Sequence, residues 1–211
     1  PMISLLPAPL APPSPPSPPA PPSHPPGSVV AEVCELTITA INGDAQGVQL
    51  AEVALYDEEF VPVTIIGASS GCGETEMGAA SNAIDGLMTT KWVPQCLCEE
   101  TCFWASDGGC DDGGLGSEYS GCDYGSDCQD CGPRESFPAT LIIELGDPVR
   151  LGGYKLTTAN DNPEMDPTSW TFSCQVGDGN MTLLSVIEDA TPPVERLADY
   201  EMVSVLPSPP S

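Results

Sequence analysis

Residues 34–41, CELTITAI, decide the fold class of this chain. Apolar and polar side chains alternate along the stretch, and Asn42-Gly43-Asp44 follows it with residues that favour a tight turn. Strict alternation is typical of a β-strand that has one face in the core and one face in water. The stretch therefore predicts a half-buried strand, and the rest of the body has the same character.

Seven further stretches alternate in this way or carry β-branched runs between turn residues. They are VQLAEVALY (48–56), VPVTII (61–66), TLIIEL (140–145), YKLTTA (154–159), SWTFSCQV (169–176), MTLLSVI (181–187) and YEMVSV (200–205). Turn residues separate them, among them Gly146-Asp147-Pro148 and Gly177-Asp178-Gly179-Asn180. Eight short antiparallel strands predict an all-β sandwich or jelly roll.

The composition divides the 211 residues into zones. A proline- and serine-rich segment (1–28) precedes a body (29–206), and PSPPS (207–211) follows it with the same composition. A block rich in cysteine, glycine and aspartate (95–134), called the insert below, interrupts the body. The body has the length of one ordinary domain, and a chain that begins with Pro1 is expected to start inside a longer precursor.

The proline-rich segment predicts an extended rod. Repeated Ser-Pro-Pro removes amide donors and fixes φ near −65°, which favours a left-handed polyproline II helix. The alternatives are a disordered linker and an SH3 or WW ligand, but the latter needs a cytosolic partner. In a secreted protein we expect hydroxylation or O-glycosylation at Pro12, Pro13, Ser14, Pro15, Pro16, Ser17, Pro18, Pro19, Pro21, Pro22, Pro25, Pro26, Pro209 and Pro210.

The charge balance limits the partners of the chain. There are 31 acidic residues against 5 lysines and arginines, so the net charge is −26. Such a chain repels nucleic acid and anionic membranes, and no apolar run approaches the roughly 20 residues that a membrane-spanning helix needs. We therefore expect neither nucleic-acid binding nor membrane insertion, and cations and neutral glycans remain as partners.

The ten cysteines predict disulfides and an extracellular location. Zinc is the alternative, but the only histidine, His24, lies in the proline-rich segment and no paired CxxC knuckles occur. Cys34 and Cys174 both lie on predicted strands and are placed to staple the sandwich. Cys72 is then left to pair with one of the seven insert cysteines, Cys96, Cys98, Cys102, Cys110, Cys122, Cys128 and Cys131.

The body offers little for catalysis. Without a histidine in the domain, Ser/His/Asp and Cys/His arrangements are excluded there. No phosphate-binding glycine loop follows a strand, and adjacent acids such as Glu58-Glu59 are typical of a solvated surface. We therefore expect a protein that is not an enzyme.

Three separated motifs carry a family resemblance: ELTITAINGDAQGVQLAEVALYD, AIDGLMTTKWVP and LIIELGDPVRLGGYKLTTANDNPEMDPTSWTF. In this order they resemble the discoidin or coagulation-factor type C group of galactose-binding-like domains. The resemblance implies an eight-stranded β jelly roll without a catalytic centre, whose loops at one end bind sugars, lipids or proteins, often near a structural calcium ion. It points to Asp85, Trp92, Asn160 and Asp161 as ligand-binding residues, although packing is the more common role for a tryptophan beside a strand.

The insert departs from that family. Residues 102–128 faintly resemble the Lin-Notch repeat, in which three disulfides surround a calcium ion, although the spacing from Cys110 to Cys122 differs. Calcium takes six to eight oxygen ligands, and the insert supplies several carboxylates close in sequence. The candidate ligands are Asp107, Asp111, Asp112, Asp127 and Asp130, and the alternative is a solvated acidic loop.

Three functions are compatible with these features. The first is a structural module of an extracellular glycoprotein, since the Ser-Pro-Pro segments resemble the hydroxyproline-rich glycoproteins of plant and green-algal walls and flagellar hairs. It would contact other extracellular glycoproteins or copies of itself. The second is a lectin-like, carbohydrate-binding module, and the third is an accessory domain of a secreted hydrolase. Asn180-Met181-Thr182 is a sequon that predicts N-glycosylation at Asn180.

Overall fold

The computed structural model describes residues 30–43, 47–71, 77–94, 100–114, 116–132, 138–176 and 179–206. Both proline-rich segments, together with Cys72, Cys96 and Cys98, lie outside these ranges. The described part is mostly antiparallel β-sheet, as predicted. Its seven strands are β1 (Val30–Ile41), β2 (Glu52–Asp57), β3 (Ile65–Ser70), β4 (Ala139–Thr157), β5 (Pro167–Val176), β6 (Asn180–Ile187) and β7 (Val203–Ser204).

Helical structure is limited to short turns in the described residues. The insert contains one α-helical turn, α1 (Cys128–Cys131). Two 3₁₀ turns lie at Ala80–Ala83 and Pro163–Met165. None of these helices has the length and apolar character that crossing a lipid bilayer requires.

Strand β1 is the centre of the first sheet. It pairs with β4 on one side and β5 on the other, while β6 pairs with β5 and β3 pairs with β4. Its side chains alternate as the sequence predicts: Cys34, Leu36 and Ile38 are fully buried, and the residues between them are partly exposed. The order across this sheet is therefore β3-β4-β1-β5-β6.

Strand β4 belongs to two sets of strands. Its first part pairs with β1 and β3, and its second part, from Leu151 onward, pairs with β2 and β7. A strand that changes partners along its length forms a corner between two sheets. The corner brings the β2-β4-β7 set over the core that β1 and β5 line.

The predicted turn at Gly146-Asp147-Pro148 is wrong, and with it the prediction of two separate strands at 140–145 and 154–159. Pairing of β4 with β1 holds at Glu144 and resumes at Val149, so residues 145–148 face a single residue of β1. The turn residues form an exposed bulge inside one continuous strand. Residues that commonly form turns are here accommodated as extra residues in a β-bulge, and the strand continues beyond them.

Two other predicted strands change their bounds. The stretch at 61–66 contributes only its end, because Pro62 forms an isolated bridge with Tyr56 and has no N–H for a ladder, so β3 begins at Ile65. The stretch at 200–205 shrinks to the two residues of β7. The described residues contain seven strands where the sequence predicts eight, because the predicted strands at 140–145 and 154–159 form the single strand β4.

The core contains the largest buried side chains of the described residues. Trp92, Trp170, Tyr154 and Phe172 have at most 2% of their surface exposed. Tyr154 of β4 stacks on Phe172 of β5 with ring centroids 4.3 Å apart, and the Trp170 Nε1–H donates to the Tyr154 hydroxyl at 2.8 Å. These contacts connect the second part of β4 to the first sheet.

The disulfide predicted between Cys34 and Cys174 is confirmed. The two residues lie directly opposite each other on β1 and β5, and both are fully buried. The bond closes a sequence separation of 140 residues. A cross-link over a loop of this size restricts the unfolded chain strongly and typically stabilises a fold by about 2–5 kcal/mol.

The corner of β4 generates a test. A Cβ added at Gly152 would lie 2.1 Å from the Asp57 carbonyl oxygen, and this neighbour is backbone at the end of β2. We expect Gly152→Ala to lower the free energy of unfolding by about 1–3 kcal/mol, because the packed backbones must separate. Urea unfolding followed by tryptophan fluorescence measures the change.

Gly71→Ala is the matched control. Its Cβ would meet Thr140 atoms at 3.4 and 3.6 Å, which is ordinary contact. We expect a change within about 0.5 kcal/mol. Equal effects of the two substitutions would contradict the tight crossing at Gly152.

Candidate functional site

Disulfides and a network of backbone hydrogen bonds hold the described part of the insert together. Cys102 is bonded to Cys122, and Cys110 is bonded to Cys131. Cys128 is also in a disulfide, and no described cysteine is free. The Cys122 N–H donates to the Asp111 carbonyl oxygen at 3.0 Å. With few buried apolar side chains, this segment depends on cross-links for its shape.

Asp112 is a structural carboxylate inside the insert. Only 3% of its surface is exposed, and it accepts hydrogen bonds from Gly114 N–H (3.1 Å), Ser117 Oγ (2.8 Å) and Gly125 N–H (3.0 Å). Three donors from neighbouring loops satisfy a carboxylate well. Asp112 therefore connects the loop residues Gly114 and Ser117 with Gly125 through hydrogen bonds.

The geometric cluster of Cys110, Asp112 and Cys131 is a poor metal site. Its possible ligand atoms lie within 4.8 Å of one another. The two sulfur atoms are bonded to each other, so neither is a thiolate that could bind a metal.

Asp127 is the least compensated carboxylate of the insert. It is fully buried, and its Oδ2 accepts the Asp111 N–H at 2.9 Å. Its Oδ1 is buried without a hydrogen-bond partner in the described structure. A buried anionic oxygen that lacks a partner is costly, and it calls for a counter-charge or a donor.

Asp111 lies among other acidic groups. Burial raises the pKa of the Asp111 carboxyl above its ordinary value of 3.8, and the nearby charges of Asp107, Asp127, Asp130 and Glu118 raise it further. The charges of Asp107, Asp127 and Asp130, three of the predicted calcium ligands, thus all act on the fourth, Asp111, but in the described structure no three of these carboxylates bring their oxygens within 4.8 Å of one another. Asp112 is engaged elsewhere by its own donors.

Two aromatic side chains lie beside these acids. Trp104, Tyr119, Asp107, Asp111, Gly109 and Gly121 line a cavity of about 370 Å³. Trp104 is 47% exposed and Tyr119 is 64% exposed. Neither ring is among the predicted site residues. The signal in the sequence was the presence of large aromatic residues in a polar, cysteine-rich segment that has no apolar core to bury them.

The predicted ligand-binding residues of the loops differ in their exposure to solvent. Asp85, Asn160 and Asp161 are exposed. Trp92 is fully buried in the core, so its ring has no face available to a ligand and it serves packing. Asn180 is exposed at the start of β6, where a glycan would have access to solvent.

Asp161 belongs to a polar cluster that the sequence analysis missed. Lys91 forms an ion pair with Asp161 and donates to the Gln49 Oε1 at 2.9 Å. The Gln49 amide in turn donates to the carbonyl oxygens of Asp161 and Asn162. Gln49 is fully buried, so it fixes the loop that carries Asn160 and Asp161.

Asp85 is paired with Glu52, the first residue of β2. Burial raises the pKa of Glu52 from 4.5 to about 7, and a hydrogen bond and repulsion from Asp85 add to the rise. Asp85 also accepts a hydrogen bond from the Thr90 hydroxyl at 2.9 Å. A protonated Glu52 shares its proton with Asp85 and removes the repulsion.

No protein-family model, no curated protein and no solved structure matches this chain. The resemblances to discoidin-like domains, Lin-Notch repeats and hydroxyproline-rich glycoproteins therefore stay predictions.

The Glu52–Asp85 pair predicts a pH dependence of stability. The folded-state pKa of Glu52 lies above its ordinary value, so the folded protein holds one extra proton between pH 4.5 and 7. Its contribution to stability is complete below pH 4.5 and is lost as the pH rises through 7. Because Glu52 is partly exposed, we discount the effect to about 1 kcal/mol.

Glu52→Gln mimics the protonated acid at every pH. We expect the variant to match the parent near pH 4.5 and to exceed its free energy of unfolding at pH 8 by about 1 kcal/mol. Glu32→Gln, at an exposed position of β1, controls for the removal of one charge. Parallel pH profiles for the parent and Glu52→Gln in urea unfolding would contradict the shared proton.

Proposed function

We propose that this domain is a structural module of an extracellular glycoprotein, in which a disulfide-stapled β-sandwich is spaced by polyproline segments. The buried Cys34–Cys174 bond carries the proposal, because it lies in the core and pairs the two central strands. Disulfides of this kind persist in oxidising compartments. The further bonds Cys102–Cys122 and Cys110–Cys131 support the same location.

We assign the sandwich to the galactose-binding-like jelly rolls. The long bulged strand β4 and the antiparallel order β3-β4-β1-β5-β6 are compatible with a jelly roll in which one edge strand is short. Such a fold offers loops at one end and strand faces at the sides for contacts. It supplies a rigid body for assembly.

The proline-rich segments at 1–28 and 207–211 set the distance between such bodies. Sixteen residues of polyproline II span on the order of 50 Å. Hydroxylation and O-glycosylation would stiffen and solvate this rod. The partners are other extracellular glycoproteins or copies of the same chain, in a cell wall, at a cell surface or in a flagellar surface filament.

Glycopeptide mapping of the chain from its native source tests the spacer. We expect hydroxyproline with attached pentose or hexose on residues 11–26, because Ser-Pro-Pro repeats of a secreted protein are candidates for modification in the secretory pathway. Peptides from the sandwich serve as the internal control and should carry sugar at most at Asn180. Unmodified prolines throughout residues 11–26 would contradict the spacer.

Calcium is the second part of the proposal. The fully buried Asp127 has an oxygen without a partner and accepts the Asp111 N–H, and the charges of Asp107 and Asp130 also act on Asp111. Calcium accepts hard carboxylate oxygens in flexible geometry, and the proposal requires these side chains to close on the ion, because no three of their carboxylates lie within 4.8 Å of one another in the described structure. The ion would neutralise the repulsion that these acids exert on one another.

Limited proteolysis with and without a chelator tests the calcium site. A bound ion stabilises by RT ln(1 + [L]/Kd), so removal of calcium is expected to speed cleavage within residues 102–131 about tenfold or more. The sandwich should stay intact, since its core lies apart from the insert.

Two variants sharpen this test. In the presence of calcium, the protease should cleave the insert of Asp127→Asn as fast as it cleaves the parent in chelator. Asp147→Asn, which removes an exposed charge from β4, should be cleaved like the parent. An insert that cleaves at the same rate with calcium and with chelator would count against the ion.

Carbohydrate binding is the alternative function. The observation that favours it is the loop around Asn160 and Asp161, which the buried Gln49 and the Lys91 ion pair hold in place at the surface. A preorganised loop with exposed amide and carboxylate groups suits the hydroxyl groups of a sugar. The buried Trp92 weighs against it, because it removes the aromatic face on which a sugar ring would stack.

A further inference from the structure

The cavity in the insert combines aromatic rings with carboxylates. Its lining includes Trp104 and Tyr119, both well exposed, together with Asp107 and Asp111. The cavity is about 370 Å³, which admits one long side chain. Neither the spacer nor the calcium site explains why two large rings are held open to solvent here.

Glycines bring the rings close to the backbone of the cavity. A Cβ added at Gly121 would lie 3.2 Å from the indole Cζ3 of Trp104. A Cβ added at Gly109 would lie 3.5 Å from the Asp107 Oδ1 and 3.9 Å from the Tyr119 ring. The exposed Phe103 ring makes an edge-to-face contact with Trp104, with ring centroids 5.3 Å apart at 84°.

The cavity is strongly anionic. Asp107 and Asp111 line it, and Asp127, Asp130 and Glu118 act on Asp111. Residues 100–114 and 116–132 contain no lysine, arginine or histidine, so the described insert supplies no cation of its own. Asp127, whose N–H-bonded neighbour Asp111 lines the cavity, has an Oδ1 that is buried without a hydrogen-bond partner among the described residues.

We propose that this cavity binds a lysine or arginine side chain of a partner protein. The faces of Trp104 and Tyr119 attract the cation through their ring quadrupoles, and the carboxylates of Asp107 and Asp111 accept its hydrogen bonds. The aliphatic part of such a side chain packs on the rings. The net charge of −26 favours a basic partner at longer range.

This inference rests on the proposed function, since it names the chemistry of a partner that the structural module contacts. It does not require calcium in the site. Asp127 is buried and does not line the cavity, whereas Asp107 is exposed and lines it. A divalent ion would still leave the five acids with a net negative charge.

A peptide titration tests the cavity with the full chain. The probe is a ten-residue Gly/Ser peptide with one central lysine. Its binding is measured by the ¹⁵N chemical shifts of the labelled protein, once in calcium and once in chelator. We expect shifts confined to residues 104–121 and a Kd between about 10 µM and 1 mM. The same peptide with acetyl-lysine has no cation and should bind at least roughly tenfold more weakly.

Matched variants decide which groups bind. Trp104→Leu and Asp107→Asn should each weaken lysine binding about tenfold, in chelator as well as in calcium. Asp147→Asn, which removes the same charge at an exposed position of β4, should leave binding unchanged. Disulfide mapping and the shifts of β1 confirm that each variant is folded.

Three outcomes would overturn the proposal: equal binding of the lysine and acetyl-lysine peptides, equal loss in Asp107→Asn and Asp147→Asn, or shifts that map outside the insert. Lysine binding in calcium but not in chelator would support the cavity and show that the ion shapes it. Glycopeptide mapping of residues 11–26 is independent of all these results, so failure of the cavity and failure of the spacer are distinguishable.

Discussion

The register of β1 between β4 and β5 is the constraint on which the rest of the sandwich depends. It places Cys34 opposite Cys174, Leu36 opposite Phe172 and Ile38 opposite Trp170. A slip of one residue would turn the buried face of β1 to solvent and separate the two sulfur atoms. The disulfide and the largest side chains of the core therefore specify the same register, and each reinforces the other.

The second set of strands is attached to this centre through β4. Tyr154 stacks on Phe172 and accepts a hydrogen bond from Trp170, and its hydroxyl also contacts the Ser185 hydroxyl at 2.8 Å. Burial raises the pKa of Tyr154, so the hydroxyl stays neutral. One tyrosine thus joins β4, β5 and β6 by packing and by hydrogen bonds, and this connection lets the bulged corner of β4 hold a fixed angle.

The sequence predicts those features whose cause is local. Alternation over 34–41 and 169–176 marks β1 and β5, and the position of cysteines on both strands predicts their bond. Gly146-Asp147-Pro148 was misleading, because the neighbouring strand tolerates a bulge there and no local rule separates a bulge from a turn. Glu52 and Asp85 lie far apart in sequence, so only the fold reveals their shared proton. The acids of the insert are close in sequence, which is why the action of Asp107, Asp127 and Asp130 on Asp111 could be anticipated, whereas the hydrogen bonds that occupy Asp112 could not.

Two buried carboxylates show how the sandwich and the insert differ. Asp166 is fully buried in the sandwich, and Arg196 forms a two-pronged ion pair with it, so the chain itself supplies the counter-charge. Asp127 is equally buried in the insert, but it receives one backbone N–H and no cation from the described residues. Both carboxylates face the same desolvation cost, yet the described residues compensate only Asp166 with a cation. Arg134, the one basic residue of the insert, lies outside the described ranges. The calcium ion proposed at Asp127 and the basic side chain proposed at the aromatic cavity would both add positive charge to the acidic insert.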